Sequence, residues 1–231
     1  IKTAIINFDN NMKMKNQEYK KEDLAASFLG TVVDILCDKT LDAAVEKNVK
    51  TIMLAGGVAA NSLLRSQLTE KAAEKGSYRA MTNIGILYFD GLGVEKDYKK
   101  AFDSFSKATD GGDTKGPRYL GIMSEKGLGV KKSLDDAAFY YEIGDSSGDL
   151  TSRYNLGKIH EKVGDYARTI ELYKKTDGRM DKITAPMYEA LGDLYAAGKG
   201  VEKNTKEAKE WYEKAVKSGS QEAGNKIAKL K

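Results

Sequence analysis

The sequence has 231 residues, enough for one large or two modest domains, with 41% hydrophobic and 31% charged side chains. No apolar run approaches the roughly 20 residues of a bilayer-spanning helix, and 38 Lys+Arg against 34 Asp+Glu leave a net +4 without the basic tracts of a nucleic-acid-binding face. One Cys and one His exclude an intramolecular disulfide and a Cys/His zinc cluster, whereas 2 Pro against 23 Gly and 13 Tyr suit short helices packed closely in a repeated way. No charged-then-apolar leader is visible, so a soluble protein of a reducing, cytoplasmic compartment is expected.

In chain order, Lys21 to about Lys47 reads as a long helix with Glu22 and Asp23 favourable at its start. Its apolar face is expected to carry Leu24, Phe28, Val32, Ile35, Leu41 and Val45, and Gly30 interrupts it without a capping context. Thr51–Ala55 is a short apolar run that suits a buried parallel strand; Gly56-Gly57 follow, then a helix over Asn61–Gly76. Strand, glycine turn and helix is an arrangement that can face a phosphate, although a Gly-Gly pair equally makes a plain tight turn. A lone strand has backbone groups to satisfy. Thr51–Ala55 is therefore expected either to pair with a second copy, giving a homodimer, or to abandon strand geometry.

Longer strings in this first third resemble a known family: Lys21-Glu22-Asp23-Leu24-Ala25-Ala26-Ser27-Phe28, Val32-Val33-Asp34-Ile35-Leu36, and Leu54-Ala55-Gly56-Gly57-Val58-Ala59-Ala60-Asn61-Ser62 with Leu64-Arg65. They are similar to the TsaD family, actin-like-fold proteins that transfer a threonylcarbamoyl group to adenosine 37 of tRNA. The resemblance implies that Gly56, Gly57 and above all Asn61 face an adenylate. It covers about 76 residues. The paired metal-binding histidines, the later Asp ligand and the second lobe that the family implies have no counterpart in those residues, so no transfer activity is expected.

From about residue 79 one pattern recurs four times, at Asn83-Ile84-Gly85, Tyr119-Leu120-Gly121, Asn155-Leu156-Gly157 and Ala190-Leu191-Gly192, with glycines 36, 36 and 35 residues apart. Six residues after three of these glycines comes Gly-x-Gly: Gly91/Gly93, Gly127/Gly129 and Gly198/Gly200. Sixteen residues after the same three comes an Ala, at Ala101, Ala137 and Ala208, followed at +3 and +4 by Ser104-Phe105, Tyr140-Tyr141 and Trp211-Tyr212. The reading is two antiparallel helices per repeat, A and B. The helix-A glycine costs about 1 kcal/mol in propensity and recurs because a missing side chain lets a helix-B aromatic approach the backbone. Gly-x-Gly supplies the positive-φ residues that end helix A. The third repeat lacks it, reads Gly164-Asp165-Tyr166 and runs early, and an insertion around Met180–Ala185 restores the phase. Glu222–Ala228 starts another helix A, suited to capping the stack.

The Leu-Gly-x-x-Tyr, Gly-x-Gly-Val and Ala-x-x-Trp-Tyr-x-x-Ala patterns resemble Sel1-like repeats, relatives of tetratricopeptide repeats. The resemblance implies a right-handed α-solenoid whose concave surface binds proteins or peptides.

The expected architecture is thus mainly α: about four helix-hairpin repeats preceded by a helix–strand–helix fragment of an actin-like α/β fold. The expected divisions are 1–76 and 77–231, with repeats at 79–114, 115–150, 151–185 and 186–220, a capping helix at 221–231, and a junction near Leu68–Ser77. The leading function is a non-enzymatic protein–protein interaction module holding a peptide or partner helix in the solenoid groove. Asn83, Arg118 and Asn155 are candidate exposed contacts; no catalytic residue, metal or cofactor is assigned, and no nucleic-acid or membrane partner is expected. The alternatives are residual adenine-nucleotide binding at Gly56, Gly57 and Asn61, and a chimera without a selected function. His160, at the position of Tyr88 and Tyr195, is read as packing or surface, Cys37 as an inert buried thiol, Trp211 as core, and Asp135-Asp136 as a solvated face.

Overall fold

The computed structural model describes residues 10–12, 14–15, 20–47, 52, 61–92, 94–176 and 178–230. The chain divides into two compact units, Ile1–Lys96 and Asp97–Lys231. All regular structure among the described residues is helical. The predicted strand Thr51–Ala55 lies outside them except for Ile52, which is in neither helix nor strand, and Gly56 and Gly57 lie outside them as well.

The first unit contains α1 (Lys21–Glu46), α2 (Ser62–Glu74) and α3 (Tyr78–Asp90), each packed on the next. Its core joins Val33, Cys37 and Leu41 of α1 to Leu64 and Leu68 of α2. The expected α1 face needs correcting: Leu41 is buried, but Ile35 and Val45 are 40% and 68% exposed. The helix is apolar on more than one side, and the stripe spaced by four residues from Val33 is the one that meets α2. Beside this seam, Lys71 lies 3.3 and 2.7 Å from the carboxylates of Asp34 and Asp38, and Lys75 3.2 Å from that of Asp42. Three acids and two lysines, each set spaced by one helical turn, thus face each other across α1 and α2.

The second unit contains α4 (Tyr98–Asp110), α5 (Gly116–Lys126), α6 (Leu134–Ser146), α7 (Leu150–Lys162), α8 (Tyr166–Lys174), α9 (Ala185–Ala197), α10 (Thr205–Lys217) and α11 (Gln221–Lys229). Consecutive helices pack together, and α5 also touches α7, its counterpart in the following repeat. This is the helix-hairpin stack expected from the period.

The helix ends are written locally. Asp97, Ser133, Asp149, Asp165, Asn204 and Ser220 each accept a hydrogen bond from a backbone N–H in the first turn they precede. Helices α5 and α9 have no such cap, and they carry the chain's two prolines, Pro117 and Pro186, in their first turns. Gly91, Gly127 and Gly198 end their helices in the left-handed region at φ +73°, +72° and +67°, as the Gly-x-Gly pattern predicts. In the third repeat α7 ends without such a cap, and Gly164, at φ +84°, makes the turn directly into the Asp165 cap of α8.

Candidate functional site

The A helices of the second unit are held by one recurring contact. A Cβ at Gly121 would overlap the ring of Tyr141, one at Gly157 the ring of Tyr173, and one at Gly192 the ring of Tyr212. Each partner is the residue four positions after the Ala, or in the third repeat Thr169, that opens the helix-B pattern, as expected. All three tyrosines are buried. The +3 position is less uniform: Trp211 is 7% exposed and stacks on Tyr188 with ring centroids 5.9 Å apart, whereas Tyr140 is half-buried. Gly144, against Ser152, and Gly116, against Thr109, are further close approaches that carry no repeat signature.

Because the ring lies in the notch, its hydroxyl reaches helix-A groups. Tyr141 donates to Glu125 at 2.9 Å and also hydrogen-bonds Asn155 of the next A helix. Tyr173 donates to the Tyr154 carbonyl at 3.0 Å, and Tyr212 to Asp193 at 2.7 Å. Burial, with the neighbouring carboxylates of Glu125 and Asp193 adding to it, pushes the Tyr141 and Tyr212 phenols well above their ordinary pKa. Burial likewise raises Tyr173. The hydroxyls are therefore fixed donors at neutral pH.

A second device crosses from one A helix to the next. Arg118, three residues before the notch glycine of α5, donates to Asp149, the N-cap of α7, at 3.1 Å and to Thr151 at 3.3 Å. Glu189, three residues before the notch glycine of α9, accepts from Ser220, the N-cap of α11, at 2.7 Å. Lys226 of α11 returns to Glu189 and Asp193 at 2.7 and 2.8 Å. Burial works against ionising Glu189, but the hydrogen bonds from Lys226 and Ser220 outweigh it and hold the carboxyl below its usual range.

Among the sequence-derived contact residues, Asn83 is exposed on α3. Arg118 and Asn155 are half-buried and engaged within the second unit, which corrects the expectation that they are free surface positions. Asn61 caps α2, its side chain accepting from the Leu64 N–H at 2.9 Å. His160 is half-buried, with Nδ1 3.3 Å from the carboxylate of Asp165. Cys37 is fully buried; burial raises its thiol pKa, Lys71 opposes, and Asp34 and Asp38 add to the rise. Among the described residues no group of three or more His, Cys, Asp or Glu side chains could hold a metal ion, and no helix is long and apolar enough to cross a membrane.

With this geometry in place, comparison with known proteins divides the chain as its patterns do. The family model for tRNA N6-adenosine threonylcarbamoyltransferase, TsaD, matches residues 1–82, and the Sel1 repeat model matches 79–113, 118–144 and 185–220. The chain is a TsaD fragment followed by Sel1 repeats. The third repeat, the one without Gly-x-Gly, falls between the Sel1 matches. The first 76 or so residues are 99% identical to part of the Fusobacterium nucleatum enzyme over 76 residues, 33% of this chain and 22% of that one. They are 49% identical to the Caldicellulosiruptor bescii enzyme over 74 residues, 32% of this chain and 22% of that one. The chain thus spans about a fifth of the length of these relatives. Among solved structures, a protective antigen of uropathogenic Escherichia coli with an SLR fold superposes at TM-score 0.68 and 27% identity, over 76% of this chain and 38% of that one. A Sel1 repeat protein from Oxalobacter formigenes gives 0.62 and 25%, over 69% and 66%. The second unit is therefore an α-solenoid of the Sel1 type, a fold that supports a protein–protein interaction scaffold, while the join of two families within one chain fits a chimera.

Proposed function

We propose that the chain is a non-enzymatic scaffold whose repeats hold a peptide or partner helix along the A helices. The working boundary lies at 76/77, with repeats near 79–114, 115–150, 151–185 and 186–220 and a cap at 221–231. The observation that carries the reading is the pair of −3 links, Arg118 to Asp149 and Glu189 to Ser220, which brace successive A helices through half-buried polar groups. A surface braced before binding loses little conformational entropy when a partner arrives. Around these links lie Lys158 and Asp193, both exposed and turned away from the core.

Photo-crosslinking from Lys158 and Asp193, compared with exposed Lys209 on helix B, tests the proposal. The same partner band should arise from both A-helix positions and weaken with Lys209. Equal labelling from all three, or none from the A helices, would refute it. The 99% identity of the first third favours a second reading, adenine-nucleotide contact at Gly56, Gly57 and Asn61; titration with AMP separates the two.

A further inference from the structure

The first unit encloses a half-open cavity of about 550 Å3 that neither matched family pattern accounts for. The volume falls within the roughly 300–1,000 Å3 of small-molecule sites. Its apolar wall comes from Leu41 and Val45 of α1, Ile52, and Leu68 and Ala72 of α2; Lys75 and Arg79 stand where α2 passes into α3. The cavity thus lies where the TsaD-matched helices meet the first residues matched by the Sel1 model.

The lining selects a ligand class by what it offers. Among its described residues there is no aromatic ring, so a nucleobase or aromatic acid finds no stacking face. There is no carboxylate, so a cationic ligand finds no counter-charge, whereas two cations stand together on one side. Lys75 is partly occupied by Asp42 at 3.2 Å, and Arg79 makes no hydrogen bond or ion pair among the described residues. Aliphatic walls with a positive edge fit an extended saturated chain ending in one negative charge. We propose that this cavity binds a medium-chain aliphatic carboxylate, its carbon chain against Leu41, Val45, Ile52, Leu68 and Ala72 and its carboxylate toward Arg79 and Lys75. The site belongs to the first unit, so the proposal stands or falls separately from partner binding by the repeats.

The experiment titrates the full chain with sodium decanoate below its micellar range. Calorimetry and amide chemical shifts are followed, with decanol, decyltrimethylammonium and N-acetyl-trileucine in parallel. Decanoate should bind saturably, moving amides within 68–83, about tenfold more tightly than decanol or the cation. Arg79→Glu should weaken decanoate by about tenfold and leave decanol unchanged. Ala72→Phe should abolish both without loss of helical circular dichroism; should that variant fail to fold, the exposed Arg79→Glu variant still decides. No saturable binding, equal affinity for decanoate and decanol, indifference to Arg79→Glu, or tighter binding of the tripeptide acid would each overturn the proposal.

Discussion

The glycine notch makes a prediction whose sign opposes helix propensity. Gly157 lies inside α7, where replacement by Ala would ordinarily stabilise by about 1 kcal/mol. Its Cβ, however, would coincide with ring atoms of Tyr173, which is 0% exposed. The ring cannot swing aside without breaking its 3.0 Å hydrogen bond to the Tyr154 carbonyl, worth about 1 kcal/mol. Overpacking of a dense core costs about 1–3 kcal/mol, so Gly157→Ala should destabilise by about 1–3 kcal/mol net. Gly224 in α11 is the control: an added Cβ meets nothing nearer than Val216 Cγ2 at 3.9 Å, so Gly224→Ala should stabilise by up to about 1 kcal/mol. Urea unfolding followed by fluorescence of Trp211, the single tryptophan, reads out the second unit and is checked by circular dichroism. Tyr173→Leu should cost about 2–4 kcal/mol alone, and on that background Gly157→Ala should become neutral or favourable. A rise in the Gly157→Ala midpoint, or a penalty that persists after Tyr173→Leu, would refute the notch.

The remaining predictions concern single groups. Glu189 has a depressed folded pKa, so its contribution is complete above its unfolded value of about 4.5 and is lost as pH falls through the lower folded value. The protection of α11 amides against exchange should drop in that acidic window, and Glu189→Gln should remove the pH dependence. Tyr212→Phe, which deletes the hydroxyl bonded to Asp193 at 2.7 Å, should lower stability by about 1 kcal/mol in the same urea assay. Asn61→Ala should cost about 1 kcal/mol through the lost α2 cap. AMP should give no saturable heat with either form; saturable heat abolished by this substitution would establish the nucleotide-binding reading instead. Cys37, buried and with a raised pKa, should react with a disulfide reagent only after unfolding, and fast modification of the folded chain would contradict its burial.

Repetition is what made the second unit legible. A helical glycine is ambiguous once, but Gly121, Gly157 and Gly192, each followed at the same interval by a large side chain, announce a notch and its occupant together. Gly144 against Ser152 occurs without a repeat partner, and nothing in the sequence distinguishes it from an ordinary helix glycine. The α1 face was illegible for a different reason. Leu24, Phe28, Val32 and Ile35 make one stripe and Val33, Cys37 and Leu41 another, and only Leu64 and Leu68 of α2 decide between them. The polar links did leave a trace: Arg118 to Asp149 and Glu189 to Ser220 are both 31 residues apart, one repeat less the stretch from N-cap to notch. Complementary residues at that interval are the signal that was missed.

The two −3 links share a register but reverse chemistry, a cation reaching an acidic cap in one and an acid reaching a hydroxyl cap in the other. What recurs is the distance from the middle of one A helix to the first turn of the next, so the geometry is maintained while the charge is free to vary. The loops reinforce it from the other side. A Cβ at Gly129 would lie 2.7 Å from the Tyr98 carbonyl carbon, and one at Gly200 would lie 2.6 Å from Tyr166 Cβ, so each second loop glycine seats on the start of the preceding helix B. The third repeat has no such glycine, and there Arg168 of α8 instead reaches Glu142 of α6 at 3.7 Å. The spacing of successive repeats is therefore set by backbone approach and cap-to-helix bonds on both sides. Substitutions at exposed A-helix positions such as Lys158 should consequently change which partner is held without changing how the repeats stack.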